Sequence, residues 1–209
     1  MIKLLCLVML QVSLAWGLNV QAATQSSLPI NHLHEVNKDR QGIIVEMYTN
    51  GKGTYQAIIK TGEQAAVSTH PEKSYPPPRF SWLSSDLLKM DFGSTVGADV
   101  RSIFYSVKRN QVTGSYSFVK AVEPINEIVL CTGDDVYFQK LFGEGNAKIP
   151  LKLTHLSTAA LKWFVISSET YFIDSKLYVK YMTDSSDMGG KEEWVSVETE
   201  IPTVLLQGK

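Results

Sequence analysis

Beyond its first 22 residues this chain has almost no cysteine: Cys6 lies in the leading apolar stretch, and Cys131 stands alone in the remainder. One thiol cannot close an intramolecular disulfide, so the fold is not a disulfide scaffold and must be held by its core. An excess of either charge is missing too, with 20 Lys and Arg against 21 Asp and Glu. Nothing here steers nucleic acid or an anionic lipid surface, and there is no acidic tail. After residue 22 no apolar run is long enough to span a bilayer, so no transmembrane segment is expected in the exported chain. Motifs that carry chemistry are absent as well. There is no HExxH, GxSxG, CxxC, Cys–His cluster or dinucleotide fingerprint. Gly93 to Gly97 bears two glycines, but Ala98-Asp99 follow where a phosphate-binding loop needs Lys and Ser or Thr. No cofactor is implied. Sites assembled from distant residues escape such a search, so motif-bearing enzymes are excluded and catalysis in general is not.

What is present begins with export. Met1-Ile2-Lys3 is a short positive segment, Leu4 to Trp16 is an apolar core interrupted by Gln11 and Ser13, and Val20-Gln21-Ala22 suits a signal peptidase. This pattern predicts a signal peptide over residues 1–22 and a mature chain in the periplasm or secreted. The apolar run is too short and too interrupted for a spanning anchor. Lys3 is the only charge removed, which leaves 19 basic and 21 acidic residues, a formal charge of −2. Residues 23–41 are polar and aperiodic and read as a flexible or loosely docked N-terminal arm. Within it His32 and His34 form a His-x-His pair without further ligands at a metal-site spacing, so solvated histidines are expected and no metal. Residues 42–209 are long enough for a single β-rich domain with a sizeable core.

The strongest architectural signal runs from Val100 to Phe142. Four runs rich in Val, Ile, Tyr and Phe (Val100–Val107, Tyr116–Val122, Glu127–Thr132 and Val136–Phe142) are separated by Gly, Pro, Asn and Asp. That is the pattern of an antiparallel meander. Ile103 to Tyr105 and Ile128 to Cys131 are apolar at successive positions, as in strands covered on both faces. Cys131 is accordingly expected as a small buried hydrophobe. Gly42 to Lys60 predicts a hairpin around Asn50-Gly51, with a short third strand in Gln64–Thr69. Pro71 and Pro76-Pro77-Pro78 predict an extended crossing from one sheet to another. Leu88, Met90 and Phe92 alternate with Lys89 and Asp91. Tyr171–Ile173 and Lys176–Met182 form a hairpin with Leu177, Val179 and Tyr181 on one face. The only helix expected follows Ser157-Thr158 through Phe164, although Trp163–Ile166 reads equally well as strand. The fold class is therefore mainly β: an antiparallel β-sandwich or partly open barrel, with a central four-strand meander and at most one short helix.

Two function classes follow. The first is a non-catalytic binding module for a protein partner, in the manner of an inhibitor or immunity protein, or for a cell-envelope glycan. Tyr and Trp supply flat amphipathic rings suited to either surface. In the last strand, Trp194 to Ile201, the alternation places Val195, Val197, Thr199 and Ile201 inward and Trp194 outward. Ordinary packing would cover Trp194 with the C-terminal tail or a second sheet, whereas an open Trp194 marks a binding surface. The second class is a secreted hydrolase with a carboxylate pair built from loops such as Asp134-Asp135 and Asp184–Asp187. Asp134 and Asp135 also suit a tight turn for conformational reasons alone. The candidate binding residues are therefore Trp194, Asp134 and Asp135, with no catalytic or metal-ligating residue assigned.

Overall fold

The computed structural model describes residues 30–38, 42–62, 64–93, 100–143, 147–157, 165–184 and 193–206. The signal peptide expected over residues 1–22, the helix expected through 158–164 and most of the 93–97 glycine loop lie outside these residues. Among them the chain is mainly β, with antiparallel strands in four sheets and one short helix, α1 (Thr203–Leu206). None of the described sheets closes into a barrel.

The first sheet holds β1 (His32–Lys38), β2 (Ile43–Thr49) and β3 (Thr54–Thr61), with short β4 (Val67–Ser68) and β5 (Glu72–Lys73) both paired to β3. Period-2 alternation buries Ile43, Val45 and Met47 on β2 and Tyr55, Ala57 and Ile59 on β3. The β2–β3 turn takes its positive backbone angles from Gly51 and Gly53, at φ 71° and 77°, rather than from an Asn-Gly pair. Asn50 instead accepts the Lys52 and Thr54 N–H groups through Oδ1, at 2.8 and 3.1 Å. Within the N-terminal arm, residues 32–38 are docked on the domain, where they pair with β2 as an edge strand. Leu33 and Val36 stay exposed there. Backbone ladder bonds hold β1, and composition does not report those.

Residues 74–78 then carry the chain to the second sheet, as the prolines require. This sheet contains β6 (Arg79–Trp82), β7 (Leu87–Phe92), β8 (Arg101–Ser106), β9 (Gln111–Val112) and β10 (Tyr116–Ser117). The third sheet is a four-strand meander of β11 (Val119–Glu123), β12 (Ile128–Thr132), β13 (Val136–Lys140) and β14 (Ile149–Pro150). The fourth contains β15 (Tyr171–Ile173), β16 (Lys176–Met182) and β17 (Trp194–Glu200). All four runs of the expected meander form strands, but the second is divided. Tyr116-Ser117 pairs with β8, whereas Val119–Glu123 pairs with β12. The change of sheet falls at Phe118, whose φ is 54°. Its N–H donates to the Val100 carbonyl at 3.2 Å and its carbonyl accepts from the Thr132 N–H at 3.1 Å, so one residue is tied to both sheets.

Three cores order the layers. Leu88, Met90, Phe92, Ile103 and Tyr105 of the second sheet pack on the first. The opposite face of the second sheet, with Leu87 and Phe104, packs on Val129 and Cys131 of the third. Ile128, Leu130 and Phe138 of the third sheet pack on Leu177, Val179 and Tyr181 of the fourth. The molecule is thus two sandwiches set back to back. The second and third sheets are covered on both faces, which is why their strands are apolar at successive positions. Buried Leu205 of α1 closes the last core.

Candidate functional site

Trp194 lies on the outer face of the fourth sheet. The two-residue turn Asp174-Ser175, with φ 49° and 65°, has the positive angles of a type I′ hairpin and fixes the β15–β16 register. Tyr171 therefore opposes Tyr178, and Ile173 opposes Lys176. On the other side of β16, Tyr178 opposes Glu198 and Met182 opposes Trp194. With Leu177, Val179 and Tyr181 turned to the core, these residues share the opposite face. Trp194 is 46% exposed, Tyr171 49% and Ile173 50%, so the covering expected of ordinary packing is absent. The Tyr171 and Tyr178 rings stack with centroids 5.3 Å apart and planes 17° from parallel. Lys176 and the Tyr178 hydroxyl both donate to Glu198, Lys176 being the larger influence, and they hold its carboxyl below the usual range. Lys180 pairs with Glu169. These exposed ion pairs add little stability but frame the aromatic rings. Val197, expected inward with Val195, remains 36% exposed because β17 is an edge strand.

Asp134 and Asp135 occupy the β12–β13 turn, where the Gly133 N–H donates to the Asp135 carbonyl at 2.9 Å. Both are exposed. They line the mouth of a cavity of about 600 Å³ between β10 of the second sheet and β13 of the third. Tyr137 and Gln139, two residues apart on β13, share the cavity face of that strand. Lys148 reaches in with its Nζ 4.5 Å from the Tyr137 ring centroid, a cation–π contact. Phe118 lines the wall from the second-sheet side.

Three groups near this cavity titrate far from their ordinary values. Burial pushes the Cys131 thiol up to about 12. Burial also raises Tyr116 and Tyr137 to about 12, with the nearby Cys131 adding to both shifts. The thiol is fully buried and protonated at neutral pH, so it has no nucleophilic character. Two outcomes follow. Iodoacetamide at pH 8 is expected to leave Cys131 unmodified in the native protein and to label it in urea, read by peptide mass spectrometry. Stability is expected to hold up to about pH 9 and then fall. Each folded-state pKa is raised, so the folded state binds more protons than the unfolded one between the ordinary pKa and about 12. Rapid native labelling would refute the buried thiol, and unchanged urea midpoints from pH 8 to pH 11 would refute the linkage.

The structure does not bring the sequence-chosen residues together. Trp194 is on the outer face of the fourth sheet, whereas Gln139 and Tyr137 face away from that sheet across the third. Asp184 follows β16, and its N–H donates to the His155 carbonyl at 2.8 Å; Asp187 lies outside the described residues. His32 and His34 are exposed, with the His34 ring 5.3 Å from that of Tyr55 in an edge contact. Among the described residues no group of three His, Cys, Asp or Glu side chains is placed to hold a metal ion. No described helix is long and apolar enough to cross a membrane. Sequence reasoning missed Tyr171 and Tyr178, although the two-residue turn between their strands already opposes them. It also missed Gln139, for which β13 alternation fixes the face but not the cavity. None of the known protein families, curated proteins or solved structures compared with this chain matches it.

Proposed function

We propose that this chain is an exported, non-catalytic binding module that docks a protein partner through the outer face of its fourth sheet. The observation that carries this reading is the open set of Tyr171, Ile173 and Trp194, together with the Tyr171–Tyr178 stack. Tyr, Trp and Met are enriched where interfaces bury most area, and exposed aromatic and apolar groups gathered on one sheet face favour an interaction site. The charged frame narrows the partner. Glu169, Glu198 and Glu200 outnumber Lys176 and Lys180 on and beside this face, so an apolar patch with a basic rim is the complement. The hydrolase alternative has less support. A general acid needs a carboxyl shielded from water, and Asp134 and Asp135 stand exposed at a hairpin tip.

Affinity capture from envelope and secreted fractions, with residues 23–209 as bait, tests the proposal. One dominant exported protein is expected, released by raised salt. Trp194→Ala and the double variant Tyr171→Ala, Tyr178→Ala should each weaken capture by about 30-fold, the effect of losing an interface hot spot of about 2 kcal/mol. A partner retained equally by both variants, or capture of a glycan through the same rings, would overturn the protein-docking reading.

A further inference from the structure

The cavity beside Asp134 and Asp135 contains a group the fold leaves unused. Gln139 is only 7% exposed, and its carboxamide has no hydrogen-bond partner among the described residues. Its polar atoms are not sealed in the interior but keep access to solvent, so they are free to bond a ligand. Its opening is into the cavity. We propose that this cavity binds a neutral saccharide of one or two rings, held by the Gln139 carboxamide, the two carboxylates and Lys148.

The chemistry of the lining selects the class. Asp134 and Asp135 only accept hydrogen bonds, Lys148 only donates, and Gln139 does both. A sugar hydroxyl also does both, so a ring bearing several of them satisfies this mixed set. Two carboxylates against one ammonium make the cavity net negative, which disfavours phosphate or a carboxylic acid. Lys148 offsets one of the two negative charges, which weakens the pull on a cation. Phe118 adds an aromatic surface for the apolar face of a sugar ring. The volume of about 600 Å³ falls in the ordinary range for small-ligand sites. This proposal is independent of protein docking at Trp194, because the two surfaces belong to different sheets.

Calorimetric titration of residues 23–209 tests it, with N-acetylglucosamine and cellobiose as neutral probes. Glucosamine, inorganic phosphate and calcium chloride are the charged controls. Saturable binding of a neutral probe is expected, weakened at least tenfold by Gln139→Leu. Asp134→Asn with Asp135→Asn lies at an exposed turn and should weaken binding without affecting folding, and circular dichroism checks this. Trp194→Ala should leave the affinity unchanged. The proposal is overturned if no neutral sugar saturates the protein, or if affinity survives both the Gln139 and Asp variants. It is equally overturned if Trp194→Ala abolishes sugar binding, or if phosphate, calcium or glucosamine binds in place of the neutral probes.

Discussion

Replacing Phe104 by alanine is expected to destabilise the protein by about 3–5 kcal/mol, the usual cost of removing a large aromatic from a closed core. The side chain is fully buried. Its ring meets Tyr116 edge to face, with centroids 5.8 Å apart and planes at 72°. It sits with Leu87, Val129, Cys131 and Leu141 in the core between the second and third sheets. The backbone around it is pinned: its N–H donates to Thr113 Oγ1 at 3.0 Å, and its carbonyl accepts from the Thr113 N–H at 2.9 Å. A strand fixed this way relaxes little into the vacated volume, which favours the upper part of the range.

The location makes the consequence more than a loss of stability. Ile103 and Tyr105, on either side of Phe104, face the first sheet and stay packed in the variant. What is hollowed is the joint between the two sandwiches. The wild-type chain is expected to unfold in one calorimetric transition, and Phe104→Ala to show two separated or visibly broadened ones. Ile103→Ala supplies the comparison: a cost of about 2–5 kcal/mol inside the first core, with the joint intact. A loss below about 1 kcal/mol for Phe104→Ala would mean that the middle core does not hold the halves together.

That joint was partly legible in the sequence. The successive apolar positions Ile103 to Tyr105 and Ile128 to Cys131 announce strands covered on both faces, and the layered stack supplies the two covers. The crossing through residues 74–78 was legible because proline carries its own backbone geometry. The change of sheet at Phe118 was not. A left-handed backbone angle is signalled in sequence by Gly, Asn or Asp, and an aromatic residue gives no such sign. The edge strand β1 was hidden for another reason. Its pairing with β2 is made of backbone bonds, while Leu33 and Val36 remain in solvent.

The candidate sites divide the same way. Alternation on the last strand is a local signal, and it places Trp194 outward. Whether anything covers that face depends on the tail, and α1 tucks Leu205 into the core instead of over Trp194. The cavity is non-local in every respect. Gln139 comes from β13, Lys148 from beyond the following loop, and Phe118 from the crossing between sheets. No spacing in the chain announces that these residues meet.

Glu127→Ala is the second large effect, expected to cost about 3 kcal/mol in urea denaturation. The Glu127 side chain is 4% exposed and gathers three donors: Ser106 Oγ at 2.8 Å, Arg109 Nε at 2.8 Å and Lys108 Nζ at 3.4 Å. It thereby links the β11–β12 turn in the third sheet to the end of β8 in the second. Arg109 and Lys108 are 40% and 47% exposed, so both can return to water when the carboxylate is lost. Ser106 is fully buried and cannot, which leaves a hydroxyl with no partner from this link. The backbone separates this account from a generic core defect. Glu127 has φ 54°, a left-handed angle that costs a residue with a side chain about 1 kcal/mol. Glu127→Gly relieves that strain while removing the same carboxylate, so it should cost about 1 kcal/mol less than Glu127→Ala. Arg109→Ala, which leaves the serine bond intact, should cost about 1 kcal/mol. The order Ala above Gly, with Arg109→Ala smallest, is the signature of a buried carboxylate held in a strained turn. If glycine proves worse than alanine at position 127, the strain is not there. If Arg109→Ala matches Glu127→Ala, the link runs through the arginine and not through Ser106.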